Sequence, residues 1–477
     1  MVKRDYDAVV VGSGPNGLAA AITLQQAGLS VLIIEGKASI GGGTRTEELT
    51  LPGFKHDVCS AIHPMAALSP FLNTLPLAQH GLEYIYPPVA AAHPFDDGTC
   101  AFSTKSVGET AKSLGTDADN YKKLIEPLLG LWPDIVNDLL GPLHFPKHPL
   151  SLAHFGLQAL TPATWLAKKF KHTQAKGLLA GMAAHSIQPL SNTATSAIGL
   201  VLSIAAHIKG WPLARGGSAN LTNAMASYFT SIGGKIETGL YITSLKQLPS
   251  SYAVLFDITP KQLLQIAGHT FSPLYKWQLQ RYRYGMGIFK VDWALDDITP
   301  FTALEARQAG TVHIGNTFEE IAQTELATSK GTIVQKPFVL FTQPSVFDAT
   351  RAPLGKHTAW AYCHVPNGYT GDMTGIIENQ VERFAPGFKE RILAKHSMNT
   401  AQMEEYNSNY IGGDINGGII DIRQLFTRPA LRLSPYRTSS KGLYICSSST
   451  PPGGGVHGMC GYHAAKIALK DVWNRES

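Results

Sequence analysis

The chain is poor in charge, lacks paired cysteines and has no long apolar run, and each shortage removes a class of function. Only 16% of its 477 residues are charged against 44% hydrophobic, which describes an ordered, rather apolar globular protein. The net charge is +5, and the densest basic stretch is Lys168, Lys169, Lys171 and Lys176. That is too sparse for nucleic-acid binding, though it suits an anionic ligand or surface. Five cysteines (Cys59, Cys100, Cys363, Cys446, Cys460) are scattered without a C-x-x-C pair, so neither a redox dithiol nor a zinc knuckle is supported. An odd cysteine count without a secretory signal favours a reducing compartment. Met1-Val2-Lys3-Arg4-Asp5 leads directly into a strand pattern and leaves no room for a cleaved leader. The longest apolar run, 197–206, is too short to span a bilayer. There is no Ser–His–Asp set and no metal-ligating cluster, so no metal is expected. These features predict a cytoplasmic protein, soluble or attached to a membrane surface.

What is present begins at residue 7. An apolar run, Ala8–Val11, enters Gly12-Ser13-Gly14-Pro15-Asn16-Gly17, a G-x-G-x-x-G turn. A small-residue helix follows to about Gly28, and a second apolar run, Val31–Ile34, delivers Glu35. Gly12 permits the tight turn, Gly14 lets backbone approach a pyrophosphate, and Gly17 lets the helix pack closely on the strand. The helix N-terminus offers unpaired N–H groups and a positive dipole end to phosphates. Glu35 is placed to accept hydrogen bonds from a ribose diol. Strand, turn, helix, second strand and acid in register predict dinucleotide binding, with FAD and NAD both open at this point.

A second glycine cluster, Ser39-Ile40-Gly41-Gly42-Gly43-Thr44-Arg45-Thr46, follows the acid directly. Such a segment can wrap the other side of a diphosphate, with Thr44 or Arg45 as donors. A hairpin is expected over 51–57. Between about 80 and 205 glycine thins and helical spacing appears at Tyr121, Leu124, Ile125, Leu128 and Leu129. The stretch 155–170 is apolar with a basic end, and reads as a packed helix of a helical subdomain or as a membrane-surface helix or lid. The α/β alternation resumes with a helix over 221–232, a strand pair over 235–238 and 241–245, and a strand at 253–256. Further strands are expected at 287–295, 338–341 and 358–365, with a helix over 371–395.

The end of the chain repeats the opening logic. A buried strand at 442–446 is followed by Ser447-Ser448-Ser449-Thr450-Pro451-Pro452-Gly453-Gly454-Gly455-Val456-His457-Gly458 and a helix from Met459 to about Trp473. The C-terminal run Gly453–Gly458 has the same glycine spacing, but six residues separate it from its strand and no second strand ending in an acid follows it, so one dinucleotide site built from both ends of the chain is the simplest account. FAD fits it better than NAD, because the C-terminal glycine loop can hold an isoalloxazine ring. The helix N-terminus beside the flavin N1–C2=O edge would stabilise the anionic reduced form. The candidate cofactor residues are Gly12, Gly14, Pro15, Asn16, Gly17, Glu35, Gly42, Gly43, Thr44, Arg45, Ser449, Gly454, Gly455, Val456, His457 and Met459. His457 is the candidate catalytic donor or acid/base, with a structural hydrogen bond to loop backbone as the alternative. His63 reads as structural. Cys446 and Cys460 read as packing residues, and Asp414 and Asn416 as turn residues.

Nearly the whole chain resembles the phytoene desaturase and carotenoid isomerase-like flavoproteins of the amine-oxidase-type FAD superfamily, in the branch of pyridine nucleotide-disulphide oxidoreductase domain-containing proteins. The resemblance rests on VVGSGPNGLAAA and IGGGTRT, on GFKHDVCSAIHP at 53–64, GWPLARGGSANLTNAM at 210–225 and YGMGIFKVDWAL at 284–295. It extends to QPSVFDATRAPLGKHTAWAYCHVP at 343–366, GGDINGG at 412–418 and SSSTPPGGGVHGMCGYHAA at 447–465. It implies an α/β fold: a Rossmann-like FAD-binding domain of 1–78, 206–283 and 425–477, with a discontinuous substrate domain of mixed sheet plus helices. The substrate domain covers 79–205 and 284–424, with its helical part at about 115–205. The resemblance implies non-covalent FAD lined by Gly12, Gly14, Gly17, Glu35, Arg45 and 454–459. It also implies hydride exchange between flavin N5 and an apolar, unsaturated or isoprenoid-like small molecule; the electron acceptor is left open, with oxygen and a quinone both compatible. Two other functions are weighed against this. A flavin amine oxidase would show an aromatic cage and a positioned lysine. A carrier like the Rab GDP-dissociation inhibitors would have lost the flavin, against which the intact Gly12–Gly17 turn and Glu35 argue.

Overall fold

Two sheets meet around one cavity in the computed structural model, which describes residues 4–425 and 427–475. The first sheet is parallel and five-stranded, in the order Leu443–Ile445, Ala253–Phe256, Ala8–Val11, Val31–Ile34, Lys235–Glu237. Its three inner strands are continuous apolar runs (AVLF, AVVV, VLII) because helices cover both faces and leave no polar side. The turn glycines and the C-terminal loop emerge from the same, carboxyl end of these strands, where open α/β sheets bind ligands.

The two ends of the chain meet through helix packing. Helix Pro15–Gln26 lies against the terminal helix Met459–Trp473. A Cβ on Gly461 would fall 1.8 Å from the Asn16 carbonyl oxygen, so only glycine allows this approach. The consequence is that the opening turn and the last glycine loop face one space.

The second sheet has seven strands, in the order Ile392–Met398, Gly287–Leu295, His357–Val365, Val339–Thr342, Ala309–Ile314, Val89–Pro94, Cys100–Ser103. Its pairs are antiparallel except that of Ala309–Ile314 with Val89–Pro94. Helices Ala118–Leu139, Pro149–Ala159, Thr173–Ala184 and Thr195–Ile208 form a helical layer over one face and share a core with it. Among the described residues no helix is long and apolar enough to cross a membrane.

Three expected elements differ. The strand at 241–245 is a loop ending in a 3-10 turn, Leu245–Gln247, because Gln247 Oε1 takes the N–H groups of Thr243 and Ser244 that a neighbouring strand would need. The helix at 371–395 stops at Phe384, where Pro386 and Gly387 break it, and the chain resumes as edge strand Ile392–Met398. The stretch 155–170 is not one helix. Pro162 divides it into the end of Pro149–Ala159 and a single turn, Ala163–Leu166.

Candidate functional site

One cavity of about 1570 Å³ runs from the opening turn to the helical layer. A small-ligand pocket ordinarily measures about 300–1,000 Å³, so this space is large enough for a dinucleotide and a second molecule. Of the sequence-predicted residues it is lined by Gly12, Gly14, Pro15, Asn16, Glu35, Gly42, Gly43, Thr44, Arg45, Gly454, Gly455, Val456 and His457. Gly17, Ser449 and Met459 do not line it. They hold the loops instead. The Gly17 N–H donates to Asp257 Oδ2 at 2.9 Å, Ser449 Oγ donates to the Gly417 carbonyl at 2.7 Å, and the Met459 N–H donates to His457 Nδ1 at 3.0 Å.

Glycine is required at the turn by contact as well as by conformation. Gly12 has φ +103°, and a Cβ on Gly17 would sit 2.1 Å from the Gly12 carbonyl oxygen. A Cβ on Gly42 would come 3.1 Å from Gly14 Cα, so the two glycine clusters stand face to face. Glu35 is buried and pinned. Its Oε2 accepts from the Ser13 N–H at 3.0 Å and Ser13 Oγ at 2.6 Å, and its Oε1 from the Lys37 N–H at 2.9 Å and Arg45 Nη2 at 3.2 Å. A carboxylate has about four acceptor positions, so the chain itself fills them all. The Arg45 guanidinium also donates to the Ser39 and Gly42 carbonyls. The Thr44 hydroxyl is spent on the Gly41 carbonyl and Thr222.

Sequence reasoning passed over Asp257. Its strand is the parallel neighbour of the first, with Val11 level with Phe256, so the residue after each strand arrives at the same turn. That register was the available signal. Asp257 lines the cavity, and burial raises its carboxyl to about pKa 7, with Glu35 adding to the rise and the Gly17 and Gly14 N–H groups opposing it. A helix N-terminus normally presents its N–H groups to a ligand; here the chain supplies an internal carboxyl to one of them.

At the other end of the cavity the 453–458 loop is braced by the 412–418 segment. The Asp414 carboxylate accepts N–H bonds from Gly285, Asn416 and Gly418, the turn chemistry expected of it. Asn416 lines the cavity, and a Cβ on Gly454 would meet its Oδ1 at 2.8 Å. His457 is buried, and burial lowers its pKa to about 4, so the ring is neutral. Because its Nδ1 accepts the Met459 N–H, its proton sits on Nε2. In this arrangement His457 orders the loop, accepting at Nδ1 and carrying its proton on Nε2, beside the Gly453 and Gly454 carbonyls. His63 also lines the cavity, with its Nε2 bonded to Ser218 Oγ at 2.9 Å and its pKa lowered to about 4 by burial. Cys446 and Cys460 are buried and do not line the cavity.

Beyond this loop the lining turns apolar. Trp132, Leu152, Phe155, Ile198 and Val201 come from the helical layer, and Leu340, Trp360 and Tyr362 from the second sheet. Trp360 and Tyr362 stack with centroids 5.8 Å apart and planes at 16°. Lys290 Nζ lies 5.4 Å from the Trp360 ring but is buried, does not line the cavity and is locked to both oxygens of Asp292 at 2.6 Å. A polar feature the sequence reading missed is His185, which lines the cavity and meets His313 Nε2 to Nε2 at 2.9 Å. Burial holds His185 at about pKa 3, and the His313 Nδ1 is buried without a partner. No sequence spacing connects residues so far apart.

The fold and this glycine-walled cavity define a Rossmann-type dinucleotide-binding protein with a second, mixed-sheet part. A family model for the NAD(P)-binding Rossmann-like domain matches residues 10–75. The chain is 26% identical to pyridine nucleotide-disulfide oxidoreductase domain-containing protein 2 of Rattus norvegicus, over 99% of this chain and 95% of that protein. It is 33% identical to a limonene dehydrogenase polypeptide of Castellaniella defragrans over 125 residues, 25% of this chain and 22% of that polypeptide. Among solved structures, wild-type putrescine oxidase bound to putrescine superposes with a TM-score of 0.61 at 16% identity, covering 98% of this chain and 99% of the other. That last likeness is one of fold, shared with amine oxidases.

Proposed function

We propose that the chain is an FAD-dependent oxidoreductase acting on an apolar, unsaturated or isoprenoid-like small molecule. The observation that carries this reading is the single cavity that joins the glycine turn and the C-terminal glycine loop to an apolar lobe.

The residues present fit FAD. Gly14 and Gly42 leave a cradle that a Cβ would fill, and the buried Asn16 side-chain oxygen has no partner. In this reading the backbone of 12–17 and Arg45 hold the diphosphate. Glu35 holds the adenosine ribose, the diol replacing its longest contact, that to Arg45 at 3.2 Å. The 454–457 loop holds the ring, with His457 as a positioning residue. When bound, FAD supplies hydride transfer to or from the substrate. The chain's own contribution is to exclude water with the apolar lobe and to orient the substrate against the ring. No charged acid or base is needed in that lobe, which agrees with the neutral His185 among the residues that line it. The name of the Castellaniella relative, a dehydrogenase of a hydrocarbon, supports the same substrate class.

A second reading, amine oxidation, is favoured by the stacked Trp360–Tyr362 pair with Lys290 behind it and by the fold shared with putrescine oxidase. Against it, a cationic amine in an apolar lobe needs an anionic partner. The carboxylate on that side of the cavity, Asp138, gives one oxygen to His144 at 2.8 Å, and its buried Oδ2, which has no partner, is the group there that would have to meet the amine. The visible spectrum of the purified protein tests the cofactor. Flavin bands are expected, and a colourless protein that FAD cannot reconstitute would instead favour the carrier function.

A further inference from the structure

The rim of the cavity is unlike the rest of the surface. Phe145, Leu150 and Leu157 are 87%, 85% and 80% exposed, and Leu143, Leu160 and Trp165 beside them are also exposed. Leu150 and Leu157 are seven residues apart on helix Pro149–Ala159 and so share one face. Four of the six, Leu143, Leu157, Leu160 and Trp165, also line the cavity. The patch is therefore the mouth itself, and an apolar molecule crosses from it into the lobe over a wall that is uncharged except at Asp138.

Basic side chains outnumber acidic ones beside this mouth, where Asp134 is held by Ser151 Oγ and His148. No aspartate or glutamate occurs between Asp138 and Glu237, while the helical part of that stretch carries Lys147, Lys168, Lys169, Lys171 and Lys176. Asp138 itself is bonded to His144. Lone exposed apolar residues need no explanation, but a contiguous group beside a ligand cavity marks an interaction site. The side chains here project from a short helix and its flanking turns. Projecting apolar tips flanked by lysines suit insertion among lipid headgroups, whereas a protein covering them would close the mouth.

We propose that this rim docks on a lipid bilayer bearing anionic headgroups, so that an apolar substrate passes from the membrane into the cavity. The proposal rests on the reading of an apolar substrate. It adds the partner and the route, with Phe145 and Leu150 as anchors and the exposed Lys147 between them as the electrostatic contact.

Sedimentation of the full-length, FAD-loaded protein with vesicles tests it. The probes are phosphatidylcholine vesicles and phosphatidylcholine–phosphatidylglycerol vesicles. Binding to the mixed vesicles at low salt is expected, weakening as salt rises. The double variant F145E/L150E, whose side chains lie outside the cavity lining, is expected to lower the partition by about a hundredfold. Leu354→Glu, at an equally exposed site elsewhere, is expected to change nothing. Lack of binding to either vesicle, equal binding to both, or unchanged binding of F145E/L150E would overturn the proposal. So would a wild-type dimer that F145E/L150E makes monomeric without any vesicle binding, since the patch would then join two copies of the chain. Reduction of the bound flavin by detergent-dispersed substrate is read separately. Its failure in the wild type counts against the proposed function, while vesicle binding counts only for or against docking.

Discussion

The two ends of the cavity are built by opposite means. At the dinucleotide end the wall is backbone: N–H groups, carbonyls and positions where any Cβ would collide, as at Gly12 and Gly14. At the apolar end the wall is side chains from four helices and a sheet, none irreplaceable by another of similar size. Recognition by backbone leaves little freedom in sequence, and recognition by apolar surface leaves much. The first end should therefore fail abruptly on substitution and the second by degrees.

The largest effect is expected at Gly17. Valine there places a Cβ 2.1 Å from the Gly12 carbonyl oxygen, so the turn must move. A loss of about 3 kcal/mol or more of stability is expected, with loss of bound flavin, checked by thermal melting and visible absorbance. Gly14→Val is a gentler version. Its nearest obstacle is the Asp257 carboxylate oxygen at 2.8 Å, so the fold should survive while FAD is lost. A Gly14→Val protein that stays fully yellow would break the comparison.

Next comes the apolar lobe. Val201→Trp fills the space between the helical layer and the sheet. It should retain flavin yet lower kcat/KM for an apolar substrate by about a hundredfold, measured alongside an unchanged flavin spectrum.

Asp257 supplies a pH dependence. Burial, helped by Glu35, raises its carboxyl from 3.8 to about 7. The folded state thus holds a proton that the unfolded state has released. This group's contribution to folding is complete below pH 3.8 and is lost as pH rises through about 7. A diphosphate added to the same turn favours the neutral form further. FAD affinity should weaken above pH 7 by up to about tenfold per unit, and Asp257→Asn, which cannot ionise, should flatten the profile. Titration calorimetry across this range checks it, and an unflattened profile in Asp257→Asn would remove Asp257 from the account.

His457→Asn should do least. It weakens the bond to the Met459 N–H, costing about 1 kcal/mol and a few-fold in flavin affinity. Because the native ring is neutral, no step in the pH–rate profile should disappear with it.

The same contrast explains what the sequence made legible. Strands Ala8–Val11, Val31–Ile34 and Ala253–Phe256 were readable because strands buried on both faces are short, continuous apolar runs between turn residues. The terminal helix Met459–Trp473 was readable from its glycine start and its one-sided apolar spacing. The strand expected at 241–245 was not there because Gln247 competes for its donors, a contest invisible to periodicity. The 155–170 stretch looked like one amphipathic helix, and Pro162 cuts it, yet Leu157, Leu160 and Trp165 still face outward. At the site, glycines carried the signal. Asp257 and His185 escaped, since Asp257 needs strand register to reach the turn and His185 needs tertiary contact with His313.

The central claim is that one flavin, held by backbone, faces a lobe built for apolar molecules. Anaerobic mixing of the oxidised, FAD-loaded protein with detergent-dispersed polyenes or unsaturated lipids, and separately with primary and secondary amines, tests it most directly through the visible absorbance of the flavin. The account predicts bleaching by the unsaturated apolar compounds and none by the amines. Bleaching by amines alone would contradict it.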